Sequence, residues 1–96
     1  MEALDGFEWD AANLSHLMRH DVEPSEVEEV SNRAHLVVRA KTIGGENRWK
    51  IFGKTAAGRY LVVVFTIRRR LFRAVTAYEM NVIERRKYAS QIDKRS

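Results

Sequence analysis

The chain has 96 residues, of which 45% are hydrophobic and 31% are charged, and it contains no cysteine. This length suits one small domain over residues 1–96, and the composition is too apolar for a disordered tail. The longest apolar run, Tyr60 to Phe65, is far shorter than the roughly 18 residues that a membrane-spanning helix needs. The acidic N-terminal region also differs from a secretory signal, which is basic and then apolar. We therefore expect a soluble, cytoplasmic domain with no membrane association.

The net charge of +4 is unevenly distributed along the chain. Residues 1–48 carry five basic and ten acidic side chains, whereas residues 49–96 carry twelve basic and three acidic ones. The first half therefore has a charge of −5 and the second half a charge of +9. Such asymmetry is typical of proteins that bind nucleic acid, an anionic surface or an acidic protein partner.

The first third of the sequence predicts a short edge strand followed by two helices. Alternation over 7–9 indicates the strand, and Asp10 suits the N-cap of a helix over 11–20. The apolar face of this helix is formed by Leu14, Leu17 and Met18. Ser25 and Glu28 have the spacing of a capping box, which predicts a second helix with Val27 and Val30 facing inward.

The remainder of the sequence predicts strands and a final helix. The strands are expected at 36–38, 48–52, 60–67 and 71–78. The unbroken apolar run of the third strand indicates burial on both faces, as in a central strand covered by helices. Asn81 and Glu84 form a cap for the C-terminal helix. The predicted class is α+β, with an antiparallel sheet of about four strands packed by two N-terminal helices and one C-terminal helix.

Basic residues crowd the predicted sheet, its turns and the last helix. They are Arg48, Lys50, Lys54, Arg59, Arg68, Arg69, Arg70, Arg73, Arg85, Arg86 and Lys87. Strict alternation places Arg73 on one strand face with Leu71, Val75 and Ala77. Two interpretations remain open for it: a partly buried salt bridge, for instance with Glu84, or a guanidinium directed at a phosphate.

Two other features of the basic half have more than one interpretation. The run Arg68-Arg69-Arg70 is either a charged hairpin tip that discourages strand aggregation or part of a binding surface. Aromatic residues among the basic ones suit the stacking of RNA bases. For Trp49, Phe72 and Tyr60 the alternative is packing in the core.

The sequence gives little support for a metal or a bound cofactor. His16 and His20 have a spacing found in metal sites, but a third ligand is not evident, so we expect them to be solvated. Phosphate-binding and dinucleotide-binding glycine motifs are absent. Cleavage of RNA by its own 2′-hydroxyl needs no metal. It requires proton transfer and charge stabilisation, which Arg, Glu, Tyr and His can provide.

The order of several short motifs resembles that of BrnT-type toxins over residues 7–88. In the first half these motifs are Phe7-Glu8-Trp9-Asp10, Asn13, Arg19-His20-Asp21-Val22 and Glu26-Val27-Glu28-Glu29-Val30. In the second half they are Gly45-Glu46-Asn47-Arg48-Trp49, Gly53-Lys54-Thr55, Gly58-Arg59-Tyr60-Leu61-Val62-Val63-Val64, Arg73-Ala74-Val75-Thr76-Ala77 and Glu84-Arg85-Arg86-Lys87-Tyr88. Each motif is weak alone, but the ordered succession is specific.

The resemblance implies a RelE-like fold and a metal-independent ribonuclease that inhibits translation. It also implies a partner, a BrnA-type ribbon-helix-helix antitoxin. The toxin would contact operator DNA only through this antitoxin. Glu46 is one of the polar residues that the resemblance singles out by position. The residues expected to be catalytic are Arg48, Arg73, Glu79, Glu84 and Tyr88. Those expected to bind RNA are Lys50, Lys54, Arg59, Thr76 and Tyr78. Arg48 and Arg73 are assigned to phosphate binding, and a Glu or Tyr near the end of the last strand to proton transfer.

One departure from the family pattern concerns Tyr78. The family often has Ser/Thr-Ala-Arg at the end of the last strand, whereas here Thr76-Ala77 is followed by Tyr78. Tyr78 then either stacks a base or acts as an acid, or activity is weakened. The alternative function is therefore a catalytically silent module that binds RNA or protein and acts mainly in a co-repressor complex.

Overall fold

The structure is a computed structural model that describes residues 4–33 and 35–95, with side chains as far as residue 92. The described elements are β1 (Gly6–Phe7), α1 (Ala11–Met18), α2 (Pro24–Ser31), β2 (His35–Arg39), β3 (Trp49–Lys54), β4 (Tyr60–Arg68), β5 (Leu71–Glu79) and α3 (Val82–Arg95). No helix in these ranges is long and apolar enough to cross a bilayer.

The strands form one five-stranded sheet in the order β1-β5-β4-β3-β2. Strands β2 to β5 are antiparallel to their neighbours, as predicted, but β1 pairs with β5 in parallel. The expectation of about four antiparallel strands is therefore corrected to a mixed sheet of five. The β1–β5 pair joins residues 6–7 to residues 71–72, so no local pattern in the sequence could reveal its direction.

The central strand β4 separates two apolar layers. Leu61, Val63 and Phe65 belong to the cluster that includes Leu17 of α1 and residues of α2. Val62 faces the opposite way, toward the cluster that contains Tyr88 of α3. Leu61, Val62 and Val63 are completely buried, which confirms the prediction of a strand covered on both faces.

The helix caps agree with the sequence at two helices out of three. Asp10 caps α1 in a reciprocal box with Asn13, and Asn81 and Glu84 exchange the same bonds before α3. At α2 the predicted capping box of Ser25 and Glu28 is wrong. The box is formed instead by Glu23 and Glu26, and Pro24 occupies the first helical turn. Proline is favoured at the first helical position because the N–H that it lacks would have no partner within the helix. The helix therefore begins at Pro24, closer to the N-terminus than the predicted box implies.

The first helix differs from its predicted apolar face and its predicted length. It ends at Met18, which is 76% exposed, while Asn13 and Leu17 are buried. The Asn13 side chain donates to the Glu8 carbonyl and accepts from the Asp10 N–H. The hydrogen bonds at both ends of this buried amide offset the cost of removing it from water, so this polar residue takes an inward position.

A bulge in β5 changes which side chains share a face. Val64 pairs with Thr76, but the next residue, Phe65, pairs with Ala74, which leaves Val75 without a cross-strand partner. One extra residue reverses the alternation beyond that point. Ala77 therefore lies in the α1–α2 cluster with Phe72 and Ala74, and the predicted grouping of position 77 with Arg73 is wrong.

Candidate nucleic-acid interface

The face of the sheet toward α3 is covered at one end only. Val62 lies under α3, and residues at every second position along β4 face the same side. Val64 is half-buried between its register partners Lys50 and Thr76. Thr66, the next residue on this side, pairs with Arg73. We call the part of this surface that α3 leaves uncovered the open face. It is formed by the buried Thr66 and by five half-buried residues, Arg48, Lys50, Val64, Arg73 and Thr76.

Arg48 lies at the β3 border of the open face. Its Nε is 3.5 Å from the Glu46 carboxylate, which also accepts from Arg68 at 3.1 and 3.2 Å. The Arg48 Nε is buried and makes no hydrogen bond among the described residues. Because Arg68 shares the same carboxylate, Glu46 compensates the charge of Arg48 only in part.

Arg73 lies at the opposite border, where it forms a salt bridge. One guanidinium nitrogen is 3.1 Å from Glu8 and 2.6 Å from Asp10, and a second is 3.3 Å from Asp10. The hydrogen bond from Arg73, aided by the Asn13 N–H, holds the pKa of Asp10 below its ordinary value. The salt-bridge interpretation is thus confirmed in kind, although the partners are Glu8 and Asp10 rather than Glu84.

Tyr78 lies at the margin of the open face, beside α3. Its ring packs near Val62 and lies 6.3 Å from the ring of His20, which follows α1 and is exposed. Burial, together with the negative charge of Glu84, raises the pKa of Tyr78, so the phenol stays protonated at neutral pH. The sequence predicts a solvated side chain for His20, and its ring contact with Tyr78 is not foreseen. Its place in the Arg19-His20-Asp21-Val22 run was the available signal for another role.

A separate aromatic and basic cluster lies at the covered end of the sheet. Lys54 and Arg85 lie 5.2 and 4.3 Å from the centroid of the Tyr60 ring. Tyr88 is buried and meets the same ring edge-on at 6.0 Å, and burial raises the pKa of its phenol. The structure therefore places Lys54 and Tyr88 apart from the open face. Trp49 and Phe72 pack with Phe65 in the core, as the packing alternative predicts.

Three other expected site residues make contacts that hold the helices in place. Arg59 donates to Glu26 at 2.7 Å, to the Asp21 carbonyl at 2.8 Å and to Glu79 at 3.3 Å, which ties α2 to the sheet. Glu79 pairs with Leu61, on the side of the sheet away from the open face. Glu84 caps α3.

The described residues contain no group of three or more His, Asp or Glu side chains that could hold a metal ion. His16 and His20 are both exposed, as expected for solvated side chains. Of the expected site residues, the structure brings Arg48, Lys50, Arg73, Thr76 and Tyr78 together.

Comparison with known families decides the class of this protein. Residues 9–84 match the family described as the ribonuclease toxin BrnT of type II toxin–antitoxin systems. The chain belongs to the BrnT family. The match extends from Trp9 to Glu84, so it includes Arg48 and Arg73 at the two borders of the open face and the strands between them. A search of curated proteins gives no match.

Proposed function

We propose that this BrnT-family chain is a metal-independent endoribonuclease that cuts RNA in the cytoplasm and thereby inhibits translation. A small BrnA-type ribbon-helix-helix antitoxin neutralises it and supplies the only contact with operator DNA. Membership of a ribonuclease toxin family supports the class of activity. The observation that carries the proposed site is the register, which aligns basic and hydroxyl side chains across β3, β4 and β5 on the side of the sheet that α3 leaves partly uncovered.

Arg48 and Lys50 bind the RNA phosphate in this proposal. Arg48 directly precedes β3 and Lys50 lies within it. They are two residues apart on the same side of the extended chain, which separates their Cα atoms by about 7 Å. Both side chains are half-buried, so their charges act in a medium of lower dielectric than water. Charge that develops on the phosphoryl oxygens in the transition state is stabilised there. The hydroxyl of Thr76, across the open face from Lys50, adds a hydrogen bond.

Tyr78 and His20 transfer the protons. His20 accepts the proton of the 2′-hydroxyl, whose oxygen attacks the phosphorus, and the bond from phosphorus to O5′ breaks. O5′ takes a proton from the Tyr78 phenol, which is then restored from His20 through solvent. The products are a 2′,3′-cyclic phosphate and a 5′-hydroxyl. The proximity of the two rings and the neutral state of the Tyr78 phenol support this assignment.

The remaining expected residues have other roles in this proposal. Glu8 and Asp10 compensate the charge of Arg73, which makes it a positioning residue at the border of the site. Arg59 and Glu79 hold α2, and Glu84 holds the start of α3. Lys54 and Tyr88 support the aromatic contacts of Tyr60.

A second function, a silent binding module in a co-repressor complex, is favoured by one observation. Tyr78 stands where, by the resemblance to BrnT-type toxins, several relatives have an arginine, so a cation that could hold phosphate is missing. Such a module would bind RNA with a steep salt dependence and leave it intact.

Replacement of the phosphate ligands tests the proposal. For Lys50→Ala and Arg48→Ala we expect the rate of RNA cleavage to fall about 100-fold, the range seen when a group that stabilises transition-state charge is removed. The matched control is Lys41→Ala, which removes an exposed lysine outside the open face. Single-turnover cleavage and thermal unfolding are measured for all three variants. Equal rates for Lys50→Ala and Lys41→Ala, with both proteins folded, would contradict the proposed site.

A further inference from the structure

The outer edge of β2 is available for strand pairing. β2 is the last strand in the sheet order, and the described ranges contain no strand beyond it. The Ala40 N–H donates to the Arg48 carbonyl at 2.8 Å. With the register of β2 and β3, this bond shows which residues of β2 direct their backbone groups toward β3: Ala40 and every second residue before it, Val38 and Leu36. In an antiparallel pair the intervening residues direct their backbone groups away from the partner. The N–H and C=O groups of Val37 and Arg39 therefore point outward.

Apolar hollows flank this edge on both faces of the sheet. Toward α3, a groove of about 810 Å³ lies between β2 and the helix and is lined by residues that include Val38, Phe52 and Ile83. On the other face, a hollow of about 330 Å³ is lined by Val37, Ile51 and other apolar residues. Val37 and Val38 are each 44% exposed, although they belong to an apolar strand.

We propose that the edge of β2 binds an extended segment of the antitoxin, which joins the sheet as a sixth strand. Side chains along a strand alternate between the two faces, so successive apolar residues of the segment would enter the two hollows. Backbone hydrogen bonds to Val37 and Arg39 supply affinity, and the hollows supply specificity, as in other cases of strand addition. This inference rests on the proposed function, because it assigns the surface through which the antitoxin binds.

The charges around the edge indicate that the segment is acidic. Arg39 and Lys41 are exposed beside β2, and Arg86 and Lys87 are exposed where α3 lines the groove. Glu84 is the one acidic residue among those that line it. Aspartate or glutamate residues flanking the apolar positions of the segment would complement this surface.

The same charges disfavour a second copy of this chain as the occupant. Antiparallel pairing of two β2 strands about Val37 would bring together two edges that each carry the exposed cations Arg33, Arg39 and Lys41. It would also place Lys41 opposite Arg33 of the other copy. Like charges directly opposite each other destabilise a strand pair. An acidic segment of a different protein is therefore the better fit.

The test removes one backbone donor at the edge. Val37→Pro deletes the outward N–H of Val37 without deleting a bond to β3, and proline is tolerated on edge strands in this orientation. Val37→Thr is the matched control, because it keeps the N–H and the β-branched shape. The probe is the purified product of the reading frame adjacent to this gene. Its dissociation constant is measured by calorimetry, together with thermal unfolding and RNA cleavage by each variant.

We expect Val37→Pro to weaken binding at least tenfold while RNA cleavage stays at the wild-type rate. Val37→Thr should bind within about threefold of wild type. Equal binding by the proline variant would overturn the proposed edge, as would a concentration-dependent dimer of the wild-type chain that Val37→Pro abolishes. If the wild type cleaves no RNA and does not bind the adjacent product, the proposed function itself fails.

Hydrogen exchange of the wild-type complex provides a readout that does not depend on how Val37→Pro folds. The amides of Val37 and Arg39 should become at least tenfold more protected when the adjacent product is bound. Unchanged exchange at both amides in a complex that forms would contradict strand addition.

Discussion

At the scale of single residues, Arg73 and Asp10 decide how the N-terminal segment meets the sheet. Arg73 of β5 contacts Glu8, which follows β1, and Asp10, which caps α1. Asn13 closes the same junction from within α1, because its buried side chain bonds both Glu8 and Asp10. These contacts fix one border of the open face.

We expect Asp10→Asn to make stability less dependent on pH in acid. The folded protein holds the pKa of Asp10 below its ordinary value of 3.8. The carboxylate therefore stabilises the fold fully above that value, and this contribution is lost as the pH falls through the lower, folded pKa. Urea unfolding between pH 7 and pH 2 measures the effect, and the wild-type free energy of unfolding should fall more steeply below pH 4 than that of the variant.

Asp5→Asn is the control for this measurement. Asp5 is 60% exposed in its ion pair with Arg70, and exposed pairs contribute little to stability. Its pH profile should follow that of the wild type. Parallel profiles for the wild type and Asp10→Asn would contradict the role assigned to the Arg73 contact.

The sequence indicated which types of contact these residues make, a helix cap and a salt bridge, but it did not identify the partners of the salt bridge. Asp10 was recognisable as a cap because the chain enters a helix directly after it. For Arg73 the sequence left two interpretations open, and a salt bridge was one of them, since a guanidinium among apolar neighbours needs either a carboxylate or a phosphate. Its true partners lie 65 and 63 residues away along the chain, so they follow from the β1–β5 pair rather than from any nearby pattern.

At the scale of elements, α2 packs on β3 through a close contact at Gly53. A Cβ atom added there would lie 2.5 Å from Cγ1 of Val30, which is completely buried. The β-branched side chain of Val30 has little rotamer freedom in a helix, so it cannot move aside easily. A glycine in a strand at this point is typical of a site where another element approaches closely.

Gly53→Ala should therefore destabilise the protein by about 1–3 kcal/mol, the usual cost of overpacking. Denaturant unfolding measures it, and a double-mutant cycle with Val30→Ala provides the control. Because the smaller side chain makes room for the added methyl group, the cost of Gly53→Ala should shrink in that background. Additive effects of the two substitutions would show that the contact does not limit the packing of α2.

The elements themselves were largely predictable, but the bulge in β5 was not. The apolar run over 60–67 identified β4 as central, and the strand is buried on both faces over Leu61, Val62 and Val63. In β5 the pattern Arg73-Ala74-Val75-Thr76-Ala77 is compatible with simple alternation, since alanine and valine suit either face. The bulge at Val75 appears only in the pairing with β4, and it turns Ala77 inward.

At the scale of the whole molecule, part of the charge asymmetry is used internally. The acidic first half contributes Glu8, Asp10 and Glu26, which pair with Arg73 and Arg59 of the basic second half. These contacts join the helical layer to the sheet. Basic residues at the open face and along the groove beside α3 are left to meet other molecules, and we propose RNA for the first surface and an acidic segment for the second.

The most direct test of this function is cleavage of RNA by the purified wild-type chain in excess EDTA. The RNA is single-stranded and labelled at its 5′ end, and the ends of the fragments are identified chemically. We expect cleavage that leaves 2′,3′-cyclic phosphate and 5′-hydroxyl ends, because protein groups alone move the protons and stabilise the phosphate. RNA that is bound but stays intact, or cleavage that occurs only after a divalent metal is restored, would contradict the proposal.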